Sequence, residues 1–225
     1  SAATLLTPDW GFIADSPLIP PKVVHVHHGR AARWSRSGGN YRDFIDQGAV
    51  TLMLDQAVLS LKGGTLDQAW SSVFSLAAAE TRLLGIKINC NNATAAADGA
   101  GTSIDAVPEP VIAVIKAFLR SGGRATNCYV FDLSTSGGYR YIATWFRNKV
   151  LAAVPGVQFR DAASNTGGAY NAATHVTWSA GYPTTPPVTR IHDLPRQCDY
   201  LVNIPIVKRH IGAGSTLGYK NHFGT

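Results

Sequence analysis

Residues 199–225 read D-Y-L-V-N-I-P-I-V-K-R-H-I-G-A-G-S-T-L-G-Y-K-N-H-F-G-T, and this stretch decides how the rest of the chain is read. Residues 200–204 form a short apolar, β-branched run with the length of a buried strand, and Pro205 stands where such a strand should stop. Lys208, Arg209 and His210 then arrive together, Gly212, Gly214 and Gly218 loosen the backbone around Ser215 and Thr216, and no acidic residue follows Asp199. A strand that empties into a glycine-rich, basic, hydroxyl-bearing loop is how α/β folds build anion sites, because binding crevices lie outside the carboxyl ends of strands. Lys208 and His210 are two apart, so an extended chain directs both to one side. Lys220 and Asn221, with the Ser215 and Thr216 hydroxyls, can hydrogen-bond the same ligand; alternatively Asn221 caps a turn and Lys220 is solvated.

Working outward, residues 22–27 alternate as a first core strand should, and 30–41 read as a polar loop. Residues 47–61 carry Leu54, Val58 and Leu61 at helical spacing and end at Gly63-Gly64. Thr65 is placed to cap a second helix running to about Ala79. Residues 83–90 form the next strand, after which Asn89, Asn91 and Asn92 open a long loop to Ser103. A helix is predicted over 108–121, a strand over 125–133, a helix over 139–154, a strand over 157–161 and a β segment over 172–179. Strands alternating with helices predict an α/β fold, a mainly parallel or mixed sheet with helices on both faces. Residues 1–21, with four prolines, are expected to form an extended arm that buries Trp10 and Phe12 against the body or a neighbouring copy, and residues 22–225 a single α/β domain.

One strand residue stands out chemically. Lys87 lies inside an apolar run, where an unpaired ammonium is costly, so it must sit at an edge or reach a partner such as Asp132 or Asp199. It reads equally as a structural ion pair or, with Asn89, as part of the ligand site.

The closing stretch also resembles the signature of the family named domain of unknown function 362: an aspartate, an apolar strand, N-x-P, K-x-H and T-x-x-x-K-N-x-x-G. The matching positions are Asp199, Asn203, Pro205, Lys208, His210, Thr216, Lys220, Asn221 and Gly224. "VTLMLDQAVLSLKGG" with "LDQAW" over 50–70, "GIKINC" over 85–90 and "IHDLPRQCD" before the signature strand are similar to the family as well. The resemblance implies a fold and a place to look rather than a reaction, since the family has no established activity. It implies export, many members carrying a twin-arginine signal, and it implies a domain that continues past K-N-x-x-G, so that the chain would be C-terminally incomplete.

Composition sets the remaining bounds. The chain has 225 residues, 45% of them hydrophobic and 15% charged, enough to bury a core as one domain. Its net charge of +6 is spread rather than gathered into an arm or stripe, which argues against nucleic acid. The acid-free interval holding Lys22, Arg30, Arg33, Arg36 and Arg42 would, if it met the one after Asp199, make one basic cleft for an anion; scattered surface charge is the plainer reading. No run of apolar residues is long enough for a transmembrane helix.

Cys90, Cys128 and Cys198 are odd in number and widely spaced, which supports neither a zinc ribbon nor the iron–sulfur centre that ferredoxin-like segments joined to some family relatives suggest. Either all three are reduced, or a disulfide joins Cys90 to Cys198 and leaves Cys128 buried in its strand. The histidines at 25, 27 and 28 place at most two donors on one face of a strand, so no metal site is expected, and no cofactor motif is legible. The opening S-A-A-T-L-L resembles the new terminus left by signal-peptide cleavage, although a trimmed chain would look the same. The expected function is therefore an exported, periplasmic or extracellular protein that holds a phosphate or carboxylate ligand at the basic loop. The alternative is an assembly subunit that associates with itself or a partner chain through residues 1–21.

Overall fold

The computed structural model describes residues 22–35, 38–75, 81–90, 104–134, 140–163, 170–176, 189–210 and 214–216. Its centre is a parallel four-stranded sheet in the order β3-β2-β1-β6, built from β1 (Leu84–Lys87), β2 (Cys128–Asp132), β3 (Gln158–Asp161) and β6 (Tyr200–Asn203). The register pairs Leu84 with both Cys128 and Tyr200, and Lys87 with both Phe131 and Asn203. All four strands therefore send their carboxyl ends to one edge. Among the described residues β6 ends this sheet, with β1 as its one neighbour.

Side-chain alternation divides the strands between two cores. Leu84, Ile86, Ile88, Cys128, Val130, Phe159, Tyr200 and Val202 point to a large core. That core is roofed by α1 (Gln47–Lys62), α2 (Leu66–Val73), α3 (Pro108–Arg120) and α4 (Thr144–Ala153). The Phe74 ring meets Phe118 at 5.3 Å and Tyr200 at 5.4 Å, edge to face, which seats α2 and α3 on β6. Phe131 and Leu133 point the other way, to a smaller core with Leu194 of α5 (Asp193–Gln197). The result is an α/β fold with helices on both faces, as the alternating pattern predicted.

The helix ends follow local chemistry. Asp46 caps α1 by accepting from the Ala49 N–H, and the helix stops at Gly63, whose φ of 73° suits glycine. Thr65 and Gln68 form a reciprocal capping box on α2. Pro108 opens α3 where its missing N–H costs nothing. That second helix stops at Val73, short of the predicted Ala79, and 76–80 lie outside the described residues.

Several expectations are corrected. Residues 22–28 form no ladder: the alternation is real, with His25 and His27 exposed and Val24 and Val26 half-buried, but it lays an extended chain over the surface, where the Lys22 ammonium meets the Ser60 carbonyl of α1. The predicted strand over 125–133 opens with a 3-10 turn at Ala125–Asn127. The helix expected from 139 starts at Thr144, because the Arg140 and Ile142 N–H groups are spent on the Ser134 carbonyl and the Asp161 carboxylate. The segment predicted over 172–179 is β4 (Tyr170–Val176), paired antiparallel with β5 (Thr189–His192). The basic glycine-rich stretch is not an open loop but a small antiparallel hairpin, β7 (Lys208–His210) with β8 (Gly214–Thr216).

The Cys90–Cys198 disulfide is ruled out by direction. Cys198 leads into the end of β6 that pairs with Leu84, whereas Cys90 lies beyond Lys87 at the opposite end of β1. At ~3.3 Å of rise per residue they are roughly 20 Å apart, far beyond the ~7 Å a disulfide spans. All three cysteines are free thiols, with Cys90 and Cys128 buried and Cys198 half-buried. The expected arm at 1–21 lies outside the described residues.

Candidate functional site: the carboxyl edge of the sheet

Strand order directs attention to one gap. The steps β1 to β2 to β3 run in one direction, with crossover helices α3 and α4 on the same face, whereas β6 is added on the other side of β1 and is preceded by α5 on the other face. The order thus reverses between β1 and β6. In open α/β sheets this reversal separates the loops on either side and leaves a crevice at the carboxyl ends. Lys87 and Asn203 close the two strands at this point, Asn89 follows Lys87, and Lys208 and His210 follow β6 in the hairpin.

Charged groups line the edge, each with partners. Lys87 is 1% exposed, and its Nζ donates to an Asp132 oxygen at 3.1 Å and to the Ile88 carbonyl at 2.7 Å. The Asp132 carboxylate also accepts from the Cys90 N–H at 2.8 Å and the Ser134 N–H at 3.4 Å. Of the two partners weighed for Lys87 the structure selects Asp132; Asp199 instead binds Arg82 and the Leu83 N–H before β6. Burial lowers the Lys87 pKa below its ordinary value, the Asp132 charge and hydrogen bond opposing that fall. Asp161, paired in register with Asp132, accepts from the Ile142 N–H and pairs with Arg147. Two strand-terminal carboxylates on adjacent strands would repel each other; a cation on each side reduces that repulsion.

A second layer stands over this edge. The Tyr41 hydroxyl donates to the Asp105 carbonyl at 3.2 Å and accepts from the Asp105 N–H at 2.9 Å. Ala106 in turn donates to the Asn89 carbonyl, so Tyr41 is tied to the chain leaving β1. Burial pushes the Tyr41 pKa up to about 12 and the Cys90 thiol well above its ordinary range. The Trp34 ring lies 6.0 Å from the Tyr41 ring, edge-on, and the Arg42 guanidinium sits over the Trp145 ring at 4.6 Å. The indole nitrogens of Trp34 and Trp145 and Nη1 of Arg42 are shut off from solvent and have no hydrogen-bond partner among the described residues. Each such buried donor costs about 1–3 kcal/mol.

Of the residues proposed from sequence, Lys87 and Asn89 lie buried at the switch point, and Lys208, His210, Ser215 and Thr216 belong to the hairpin, with Thr216 opposite Lys208 and Ser215 opposite Arg209. Lys220 and Asn221 lie outside the described residues. Arg42 was foreseen only as part of a basic cleft; Asp161, Arg147, Tyr41, Trp34 and Trp145 were not foreseen as site residues. Asp161 had a signal, since Arg-Asp closes the strand predicted over 157–161; the aromatic residues had none.

The family model for Domain of unknown function (DUF362) matches residues 84–225, from β1 through the closing stretch. The chain belongs to this family. The match leaves out the upstream pieces over 50–70, which nevertheless fold as α1 and α2 against the DUF362 sheet. No curated protein and no solved structure matches the chain. Among the described residues no helix is long and apolar enough to cross a membrane.

Proposed function

We propose that this DUF362 chain binds an anionic ligand, a phosphate or carboxylate, at the carboxyl edge of its sheet. The reversal of strand order between β1 and β6 carries the reading, because open α/β sheets bind ligands at the carboxyl ends beside such a reversal, and the basic hairpin follows β6. In this reading the buried Lys87–Asp132 pair and Asn89 form a rigid floor. Lys208 supplies charge, His210 a donor, and Ser215, Thr216, Lys220 and Asn221 further hydrogen bonds. Export belongs to the same proposal and is checked by fractionating cells that make the full-length protein.

The test is calorimetric titration of the protein with inorganic phosphate and with acetate, repeated on Lys208→Met. Loss of about 1.5–3 kcal/mol of binding with an unchanged unfolding midpoint is expected, the scale of one charge-assisted hydrogen bond. Unaltered binding in Lys208→Met would remove the hairpin from the site. Concentration-dependent oligomers in sedimentation, without anion binding, would favour the assembly alternative.

A further inference from the structure

The chain ahead of α1 carries two side chains that the carboxyl edge does not use. Residues 22–28 lie extended between two anchors. At the start the Lys22 ammonium meets the Ser60 carbonyl; at the end the Ala31 N–H donates to the His28 carbonyl and Ala32 bridges to Ile45. Between the anchors His25 and His27 are exposed, while Val24, Val26 and His28 are half-buried. The alternation therefore sets two imidazoles on the solvent side, two residues apart, with ~6.6 Å between their Cα atoms at ~3.3 Å of rise per residue. Neither makes a hydrogen bond, ion pair or ring contact among the described residues. His28 differs: its Nδ1 accepts from the Arg30 N–H at 3.2 Å, so that ring belongs to the turn.

A strand face that offers two donors is too few for a closed metal site, but an open site needs no more from the protein, because water completes the shell. A transition-metal ion holds imidazole nitrogens at ~2.0–2.1 Å, which places two neighbouring ligand nitrogens roughly 3 Å apart. Two imidazoles on one side of an extended chain close to that span by turning about χ1 and χ2. No existing bond has to break, and the anchored backbone leaves little further ordering to offset.

We infer that His25 and His27 form a bidentate surface site for a divalent transition-metal ion of the copper, nickel and zinc class. Imidazole suits these ions, whereas Mg2+ and Ca2+ take oxygen ligands. The pair lies outside the DUF362 match, and the inference does not depend on the anion reading.

The experiment titrates the intact, untagged protein with NiCl2 by calorimetry and records the electron paramagnetic resonance spectrum of its Cu2+ complex. One site is expected, with nitrogen coupling in the Cu2+ spectrum and tighter binding of Cu2+ than of Ni2+. MgCl2 should not compete. His25→Gln and His27→Gln should each weaken Ni2+ about tenfold or more, because a lone imidazole loses the second, effectively intramolecular contact. Both variants should keep the parental unfolding midpoint, since the side chains they remove are exposed and unbonded. His28→Gln should bind as the parent does. Val23 is 85% exposed, so adding Val23→His to His27→Gln restores a pair two residues apart and should recover much of the affinity. Parental affinity in both single variants, equal weakening by His28→Gln, or no recovery with Val23→His would overturn the site. So would a parent protein that binds neither ion.

Discussion

Replacing Asp132 by Asn tests the buried centre of the carboxyl edge. The carboxylate serves three donors: Lys87 Nζ at 3.1 Å, Cys90 N–H at 2.8 Å and Ser134 N–H at 3.4 Å. An amide of the same shape has a single oxygen, so its NH2 must face either the Lys87 ammonium or the Cys90 N–H. One unmet buried donor costs about 1–3 kcal/mol, and an ammonium 1% exposed that has also lost its counter-charge raises the total to about 3–5 kcal/mol. The loss should depend on pH. Burial already sets the Lys87 pKa below 10.5, and losing Asp132 removes the negative charge that opposes the fall and weakens the hydrogen bond that does so too. Between the folded value and 10.5 the unfolded chain holds more protons, so stability due to Lys87 rises with pH. The gap between parent and variant should therefore shrink by about 1.4 kcal/mol per pH unit between the two folded Lys87 values. The assay is urea unfolding followed by tryptophan fluorescence, from neutral pH into the alkaline range. Lys87→Met with Asp132→Asn should recover most of the loss, because no ammonium then needs a partner. A deficit under about 1 kcal/mol at neutral pH, or one that does not narrow with pH, would refute the buried pair.

Gly85→Ala should destabilise by about 1–3 kcal/mol, because its Cβ would meet Cys198 Sγ at 2.7 Å and Phe131 at 3.3 Å; adding Cys198→Ala should recover part of this in thermal melts. Alkylation in denaturant without reductant should label all three cysteines, and a mass showing fewer labels would contradict the free thiols. Burial lifts the Cys128 thiol to about 12 and Cys198 to about 11. These thiols stay protonated in the fold after the unfolded ones ionise near 9.0, so they stabilise below that pH and the contribution drains away as pH rises toward their folded values; Cys128→Ala should flatten the alkaline decline in stability. Thr65→Ala removes one arm of the capping box on α2 and should cost ~1 kcal/mol in urea unfolding, while Thr65→Ser should be near neutral.

Sequence alone determined the alternating βα order, the length of α1, the Thr65 cap, the Pro108 start and the signature strand, because each follows from contacts within one or two turns of chain. It also required either an edge position or a partner for Lys87, since an unpaired buried ammonium is costly. The choice of Asp132 over Asp199 belonged to tertiary structure: both acids flank the sheet, and only the parallel register shows which lies at the carboxyl end. The same register separated Cys90 from Cys198. Alternation over 22–27 looked like a strand because period-two burial arises whenever an extended chain lies on a surface, with or without a ladder. The Arg42–Trp145 contact was invisible in the sequence for a related reason: the two residues meet only when the start of α4 packs beside the 3-10 turn at Tyr41–Phe44, and no local pattern encodes that meeting.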